Sequence, residues 1–466
     1  MANFIIWSGT DIVHSILRTG GPYQVASWLR QYGYTVQVID FGYNLSPDII
    51  AELTERYITR DTYAIGCSAT FWNLDTEIQD GVKKVVIPVP EWVSIARKKV
   101  ESKYPNIEWI LGGANANSVY SNLKWLRMPD YAENNILKYF DEKSGAKIVR
   151  PSFDIKNFVR TYTENDYINP HEVLTLELGR GCVFKCKFCS YPYIGKKKGT
   201  YTRTFENLRD EVMYNYERWG VTKYYYTDDT INDDEEKLKD LVKLRNSVPF
   251  ELEWLGFLRA DLLWAKPHTI DMLEESGLRS AFFGIETFNP YSAKLVGKSW
   301  SGTHAKDFLP KLRERWDNKI NWHLGLILGI PGWTYSELEK DMQWLIDNKM
   351  YRWKWWALYV NPVSGKLYQS EFDRNYNTYN IKFRPNNMIN WEYKNLWHEH
   401  IRIAALQANE WCDPHCCVGG WLLGELSATY QKPMSEVMKM NLSDVNYTSA
   451  RQQANGLALE YAKKHF

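Results

Sequence analysis

The stretch Leu174-Thr-Leu-Glu-Leu-Gly-Arg-Gly-Cys182-Val-Phe-Lys-Cys186-Lys-Phe-Cys189 places three cysteines within eight residues, directly after an apolar run that is typical of a β-strand. Two glycines permit a sharp turn between the strand and the first cysteine. Iron–sulfur clusters are held by cysteine thiolates, usually four of them. Three protein thiolates would leave one iron of a [4Fe–4S] cluster open, much as catalytic zinc sites keep one position for substrate.

Zinc binding and a chance group of buried thiols are the two alternatives for these cysteines. A structural zinc site needs four ligands at a matching spacing, and no further Cys or His follows nearby in the sequence. We therefore predict that Cys182, Cys186 and Cys189 hold a [4Fe–4S] cluster.

Length, charge and cysteine content narrow the class of protein. A chain of 466 residues is too long for one ordinary core, so two or three domains are expected. The net charge of +1 favours neither nucleic acid nor an anionic membrane as a partner. The mean hydropathy is −0.47, and no apolar run approaches the roughly 18 residues that span a bilayer. With no signal-peptide pattern at the start and seven cysteines, three of them in the motif, we expect a cytoplasmic protein without a disulfide framework.

The cysteine spacing resembles the signature of the radical S-adenosylmethionine (radical SAM) superfamily, C-x3-C-x-aromatic-C. Phe188 occupies the aromatic position, and Arg180-Gly181 precede the first cysteine as in many members. The resemblance implies that SAM binds the open iron and that the reduced cluster cleaves it to methionine and a 5′-deoxyadenosyl radical. It also implies that Phe188 packs beside the adenine and that an external donor, such as flavodoxin or ferredoxin, supplies the electron.

Beyond the cysteines, strand-like and helical segments alternate as far as about residue 375. The six predicted strands begin at Leu174, Lys223, Leu252, Ser280, Asn321 and Trp355. Six strand–helix units predict a (βα)6 partial TIM barrel, which is the fold of the radical SAM superfamily. In βα-barrels the active-site groups cluster at the carboxyl ends of the strands.

Polar residues follow the second and third predicted strands of this barrel. The resemblance implies that Asp228, Asp229 and Thr230 hold the amino group of the SAM methionine. Arg259 would pair with the SAM carboxylate or orient Asp261. The alternative for each is structural, as a turn residue or a surface ion pair.

The fourth and fifth predicted strands carry the remaining candidates. Glu286 lies in Gly284-Ile-Glu-Thr287, which resembles a family element that contacts the SAM ribose. Gly325 and Gly329 resemble glycines that bring the backbone close to the adenine; their alternative is simple packing. Glu337 fits the third position of a helix capping box and receives no catalytic role. No catalytic residue beyond the cluster ligands is identified.

Residues 1–150 alternate helical patterns with short β-rich runs, which predicts a doubly wound, Rossmann-like domain. The runs are Phe4–Trp7, Val36–Ile39, Ala64–Cys67 and Trp109–Leu111. Gly112-Gly113 directly follow a strand, where such sheets approach ligands. The order of elements resembles the B12-binding (cobalamin-binding-type) domain of one radical SAM branch. That branch carries a D-x-H-x-x-G motif, however, and only Asp11-Ile-Val-His14 is present. Cobalamin is therefore compatible with the sequence but not favoured, His14 is interpreted as an ordinary histidine, and Cys67 as a core thiol.

Residues 151–375 make up the predicted barrel, and residues 376–466 a small α-rich C-terminal domain that would cap the barrel mouth. Its segment Cys412-Asp-Pro-His415-Cys416-Cys417 could bind an auxiliary cluster or zinc, or supply a catalytic thiol. The turn expected at Pro414 favours structural or substrate-facing thiols instead.

The sequence thus predicts an enzyme that begins radical chemistry, by C–H abstraction leading to methyl transfer, rearrangement or oxidation. The substrate is not identified by any motif. The alternative is a non-catalytic iron–sulfur or nucleotide-binding regulator on the same fold.

Overall fold

The structure is a computed structural model of the chain. It describes residues 2–9, 17–70, 72, 75–79, 82–191, 202–298, 300, 302–317, 319–350, 353–358, 369–379, 432–433, 436, 460 and 462–464. The predictions for Asp11, His14, Cys412, Cys416 and Cys417 lie outside these residues.

The N-terminal domain is built on a five-stranded parallel sheet with the order β2-β1-β3-β6-β8. Its strands are β1 (Phe4–Trp7), β2 (Val36–Ile39), β3 (Ala64–Ser68), β6 (Glu108–Gly113) and β8 (Leu126–Pro129). A smaller sheet joins β4 (Asp75–Gln79), β5 (Val82–Pro88) and β7 (Val119–Tyr120). The helices are α1 (Gly20–Gln31), α2 (Pro47–Tyr57), α3 (Glu91–Lys103) and α4 (Glu133–Ser144).

Successive side chains along a strand point to opposite faces of the sheet, so the five-stranded sheet packs against two separate cores, one on each face. Phe4 and Ile6 of β1 pack with α1 and α4, whereas Ile5 and Trp7 pack with α2 and α3. Cys67 is buried in the second core, as expected of a core thiol. The predicted doubly wound arrangement is confirmed.

The central domain contains six consecutive parallel strands in the order β14-β13-β12-β11-β10-β9. The strands are β9 (Val173–Leu176), β10 (Lys223–Tyr226), β11 (Glu253–Leu258), β12 (Leu278–Glu286), β13 (Asn321–Leu328) and β14 (Trp353–Ala357). The described helices of this part are α5 (Phe205–Trp219), α6 (Glu235–Ser247), α7 (Ala260–Ala265), α8 (Thr269–Glu275), α9 (Pro290–Leu295), α10 (Gly302–Trp316) and α11 (Tyr335–Asp347). The predicted six-unit barrel is confirmed, with each strand within about two residues of its expected position.

Local sequence signals account for the ends of several barrel helices. The hydroxyl of Thr204 caps α5 by accepting from the amide of Asn207, and Gly220 ends the helix with a φ of +72°. Thr334 and Glu337 form the expected reciprocal capping box at the start of α11. None of the described helices is both long and apolar enough to cross a membrane.

The part of the chain after β14 is described only in short pieces. Helix α12 (Glu371–Asn375) is the next described helix after β14. The Lys432 carbonyl accepts a hydrogen bond from Lys223, which begins β10, and Ala462 packs in a core of the N-terminal domain. These contacts lie at the amino ends of the barrel strands and at the N-terminal domain. The α-rich cap and the proposed domain boundaries stay predictions.

Candidate functional site

The three motif cysteines lie on a loop that follows β9 and packs onto the carboxyl edge of the barrel. Gly181 turns the chain into this loop with a φ of +78°, a conformation that favours glycine. The Lys187 amide donates to the Val296 carbonyl at 3.0 Å, and the Phe372 amide donates to the Lys187 carbonyl at 2.9 Å. The loop is therefore anchored by backbone bonds on both sides.

Polar groups from the next two strand ends reach the cysteine sulfurs. The hydroxyl of Thr230 lies 3.6 Å from the Cys182 sulfur, and Arg259 Nη1 donates to the Cys186 sulfur at 3.7 Å. Hydrogen bonds to the sulfurs are among the features that set the potential of an iron–sulfur cluster. Burial raises the pKa of the Cys189 thiol to about 12, so that thiol is protonated at neutral pH until a metal binds.

The donor set distinguishes a cluster from a mononuclear metal site. No group of three or more His, Cys, Asp or Glu in the described ranges is arranged to hold a single metal ion. A [4Fe–4S] cluster does not need that convergence, because each thiolate binds a different iron. Three partly buried thiols on one loop, flanked by Thr230 and Arg259, fit such a cluster.

Arg259 lies at the start of α7 and forms a bidentate ion pair with Asp261, at 2.5 and 2.9 Å. Its guanidinium also stacks on the ring of Phe184, 3.9 Å from the ring centroid. Burial alone would raise the pKa of Asp261, but the paired arginine lowers it below its usual value. The pair of Arg259 with Asp261 is present in the structure, and both predicted roles of Arg259 stay predictions.

The three polar residues after β10 point in different directions. Asp228 is almost fully buried, accepts from the Leu178 amide at 2.7 Å and lies 3.6 Å from the Lys237 ammonium on α6. Its contacts join β10 to β9 and α6. Thr230 and the half-buried Asp229 instead face the cysteine loop. SAM binding by Asp228, Asp229 and Thr230 stays a prediction, with the geometry favouring the latter two.

Glu286 ends β12 in a left-handed conformation with a φ of +66°. Such strain costs of the order of 1–3 kcal/mol for a non-glycine residue and tends to occur at functional sites. The Lys298 ammonium lies 3.0 Å from its carboxylate and also donates to the Gly284 carbonyl. Both charges influence the pKa of Cys186, which places the pair beside the cysteine loop.

The predicted adenine-contacting residues also lie at this edge. Gly325 in β13 pairs with Gly284 in β12, and Gly329 follows β13 with a φ of +91°. Phe188 packs with Ile330 and with Phe372 of α12, which is fully buried. Phe188 is therefore near the end of β13, and its contact with adenine stays a prediction.

Two residues at the site are missed by reasoning from the sequence. Lys298 follows no motif, and only the fold brings its ammonium to Glu286. Phe372 lies in Ser370-Glu-Phe-Asp373, whose capping box signals a helix start but not where that helix packs.

A cavity of about 530 Å³ lies at the carboxyl edge of the N-terminal sheet, between that edge and the cysteine loop. Its N-terminal side combines large side chains, such as Phe4, Met128 and Tyr131, with a group of small residues: Gly20, Gly21, Ser68, Gly112 and Gly113. A Cβ added at Gly21 would meet nothing within 4 Å and one at Gly112 only backbone oxygens at 3.9 Å, whereas one at Gly113 would clash with Thr70. Arg180, Ser190 and Tyr191 of the cysteine loop form the opposite side.

Residues 176–345 match the model of the Radical SAM superfamily. The chain contains a radical SAM domain. The matched residues include the three cysteines and the strand ends through β13 that surround them.

Two curated relatives are both methyltransferases by name. An uncharacterized methyltransferase of Pyrococcus horikoshii is 24% identical over 168 residues, which are 35% of this chain and 34% of the relative. The cytidylyl-2-hydroxyethylphosphonate methyltransferase of Streptomyces wedmorensis is 25% identical over 135 residues, which are 29% of this chain and 24% of the relative. The match thus spans about a third or less of the length of either relative.

Two solved structures share the fold over both domains. The radical SAM methyltransferase TsrM from Kitasatospora setae, with cobalamin and a [4Fe–4S] cluster bound, has a TM-score of 0.57 at 13% identity and covers 78% of this chain and 74% of its own. The cobalamin-dependent SAM radical enzyme OxsB, with aqua-cobalamin bound, has a TM-score of 0.53 at 12% identity and covers 99% of this chain and 80% of its own. At these identities the likeness concerns the fold alone.

Proposed function

We propose that this protein is a radical SAM enzyme whose [4Fe–4S] cluster is held by Cys182, Cys186 and Cys189. The observation that carries the proposal is the meeting of the thiol loop with Thr230 and Arg259, which come from two successive strand ends. When bound, the cluster supplies the electron that cleaves SAM to methionine and a 5′-deoxyadenosyl radical. An external electron donor is required, and the substrate is unidentified.

The surrounding residues of the chain bind and orient rather than react. Arg259 stabilises the thiolate form of Cys186 by donating to its sulfur, and the hydroxyl of Thr230 contacts the sulfur of Cys182. Lys298 holds the carboxylate of Glu286 in place, where it would accept from a ribose hydroxyl. Phe188 and Phe372 cover the loop with apolar surface, which keeps water away from a site of radical chemistry.

We further propose that the N-terminal cavity binds cobalamin and that the reaction is a methyl transfer. The sequence alone does not favour cobalamin because the D-x-H-x-x-G motif is not found. The proposal is supported by the two structural neighbours that hold cobalamin, by the two methyltransferase relatives and by the size and place of the cavity. A ligand there would lie directly against the cysteine loop.

The charges around the cavity argue against a nucleotide as its ligand. Both arginines that line the described cavity are already paired, Arg160 with Glu211 and Arg180 with Glu133. The amide of Thr19, where α1 begins, already donates to the Asp40 carboxylate. Nucleotide phosphates need free donors or cations at such an edge, whereas a corrin ring carries amides around a cationic centre.

Anaerobic reconstitution tests the first proposal. The chain loaded with iron and sulfide, then given dithionite and SAM, should form 5′-deoxyadenosine. Replacing Cys186 by alanine should abolish the visible absorption of the cluster, and Cys67→Ala is the matched control because Cys67 is buried in the other domain. A cluster band without any 5′-deoxyadenosine would instead support a non-catalytic regulator.

The cobalamin proposal has its own test. Titration of the reconstituted protein with hydroxocobalamin should give saturable binding, seen as a change in the corrin absorption bands. Titration with a nucleotide such as ATP should give none. Binding of ATP but not of hydroxocobalamin would contradict the assignment of the cavity.

A further inference from the structure

Arg180, two residues before the first cluster cysteine, joins three parts of the chain. Its guanidinium donates to Glu177 at the end of β9, at 2.9 Å, and to Glu133 at the start of α4, at 2.6 Å. It lies between two rings, 3.8 Å from the centroid of Tyr131 and 4.9 Å from that of Phe153. We propose that Arg180 is a positioning residue that fixes the cysteine loop against the wall of the N-terminal cavity.

Because the ion pair of Arg180 with Glu133 is buried, it can fix the position of the cysteine loop relative to α4. The side chains of Arg180 and Glu133 are 15% and 4% exposed. Exposed ion pairs contribute little, but breaking a buried pair is strongly destabilising, because an uncompensated charge stays behind. Arg180 also uses its planar fork and both of its faces, which a lysine cannot reproduce.

Tyr131 connects Arg180 to the cavity, because its ring contacts the guanidinium and also lines the cavity. It lies two residues after β8, is 40% exposed and lines the cavity, while the guanidinium of Arg180 covers one face of its ring. The ring thus belongs to the cavity wall, and the charge that holds it belongs to the cysteine loop. A ligand that packs on Tyr131 is held in register with Cys182.

If the function proposed above holds, Arg180 also sets the distance between cobalamin in the cavity and the [4Fe–4S] cluster on the cysteine loop. This consequence for catalysis rests on that function. The positioning itself does not depend on that function. It requires only that the loop and the N-terminal domain be joined through Arg180, Glu133 and Tyr131.

Hydrogen–deuterium exchange of the full chain tests the positioning without any cofactor. The variant Glu133→Gln changes only the N-terminal domain, yet it should speed exchange of amides in residues 181–191 by about tenfold or more. Glu164→Gln is the matched control, because Glu164 pairs with Arg218 on the surface, at 72% and 46% exposure. Unchanged exchange of the loop in Glu133→Gln would overturn the proposal.

A second variant distinguishes a local effect on the cysteine loop from unfolding of the whole N-terminal domain. Tyr131→Leu keeps both ion pairs of Arg180 and removes only the ring, so the chain should fold normally. Exchange of the loop should again increase while exchange in α2 and α3 stays at the wild-type rate. Faster exchange throughout the N-terminal domain, or none in the loop, would contradict a specific role of Tyr131.

The link to a ligand is tested by hydroxocobalamin titration of Arg180→Lys. Its dissociation constant should rise by about tenfold relative to wild type, because the lysine cannot hold the ring of Tyr131. Arg218→Lys, which replaces an exposed arginine beside Trp219, should bind as wild type does. Wild-type affinity in Arg180→Lys would overturn the link. Failure of the wild-type protein to bind would refute the cobalamin proposal and leave the exchange experiment to decide the positioning.

Discussion

The two parallel sheets of this protein present their carboxyl edges to the same loop, but the residues at the two edges differ in size and charge. The edge of the N-terminal sheet includes small residues, such as Gly112 and Ser68, and borders a cavity whose two arginines, Arg160 and Arg180, follow that sheet in the chain. The edge of the barrel is crowded with charged pairs, among them Arg259 with Asp261 and Lys298 with Glu286.

This difference agrees with the ligands proposed above for the two edges. A large ligand needs room, which missing side chains provide at a parallel-sheet edge. A small polar ligand and a cluster need fixed charges in defined places, and ion pairs hold those charges in position before binding. The cysteine loop lies between the two edges, so substitutions on either side separate their contributions.

The largest effect is expected from removing charge at the barrel edge. Arg259→Gln loses the ion pair with Asp261 and the donor to the Cys186 sulfur. Formation of 5′-deoxyadenosine should fall by about 100-fold or more, the range seen when one preorganised donor is removed. Discontinuous assays on protein of matched iron content measure this effect.

Arg279 provides the matched control for that substitution. It pairs with Glu253 and Glu251 near the amino ends of the barrel strands, away from the loop. Arg279→Gln should lower stability and leave the rate of SAM cleavage unchanged. Equal losses of activity in the two variants would mean that the barrel edge has no special role.

A smaller effect is expected from filling the N-terminal edge. A Cβ at Gly112 would approach only backbone oxygens, at 3.9 Å, so Gly112→Leu places a side chain in the cavity without a backbone clash. The dissociation constant for hydroxocobalamin should rise by about tenfold or more, because the leucine occupies part of the binding volume. Cluster absorption should be unchanged. Unaltered affinity for hydroxocobalamin would show that the cavity is not the binding site.

The sequence predicts the barrel edge better than the N-terminal edge for a physical reason. The barrel strands alternate with helices, so periodicity places Thr230, Arg259 and Glu286 at or just beyond the carboxyl ends of their strands, and the family resemblance singles them out there. Periodicity also found β1, β2, β3 and β6. It missed β8, because Leu126-Arg-Met-Pro129 is short and lies at the edge of its sheet.

Contacts between distant segments could not be found in this way. The pairing of Arg180 with Glu133 joins residues 47 positions apart, and neither residue belongs to a periodic pattern. The sequence also did not predict the direction of the Asp228 side chain. Its neighbours Asp229 and Thr230 face the cysteine loop, whereas Asp228 turns to Lys237. The small residues that line the cavity come from three elements, α1, β3 and β6, and no local motif records their meeting.

The smallest effect is expected at the opposite, amino end of the barrel, where Lys223 is buried at the start of β10. Burial lowers the pKa of Lys223 to about 8, below its ordinary value of 10.5. The unfolded chain therefore binds a proton that the folded chain releases between about pH 8 and 10.5, so this residue makes the free energy of unfolding rise with pH in that window. Lys223→Met should remove that rise and stabilise the protein at pH 7 by about 1–3 kcal/mol, measured by urea unfolding across this pH range. Lys243→Met, on the exposed face of α6, should keep the wild-type slope, and SAM cleavage should be unaffected in both variants, because neither lysine lies at a carboxyl edge.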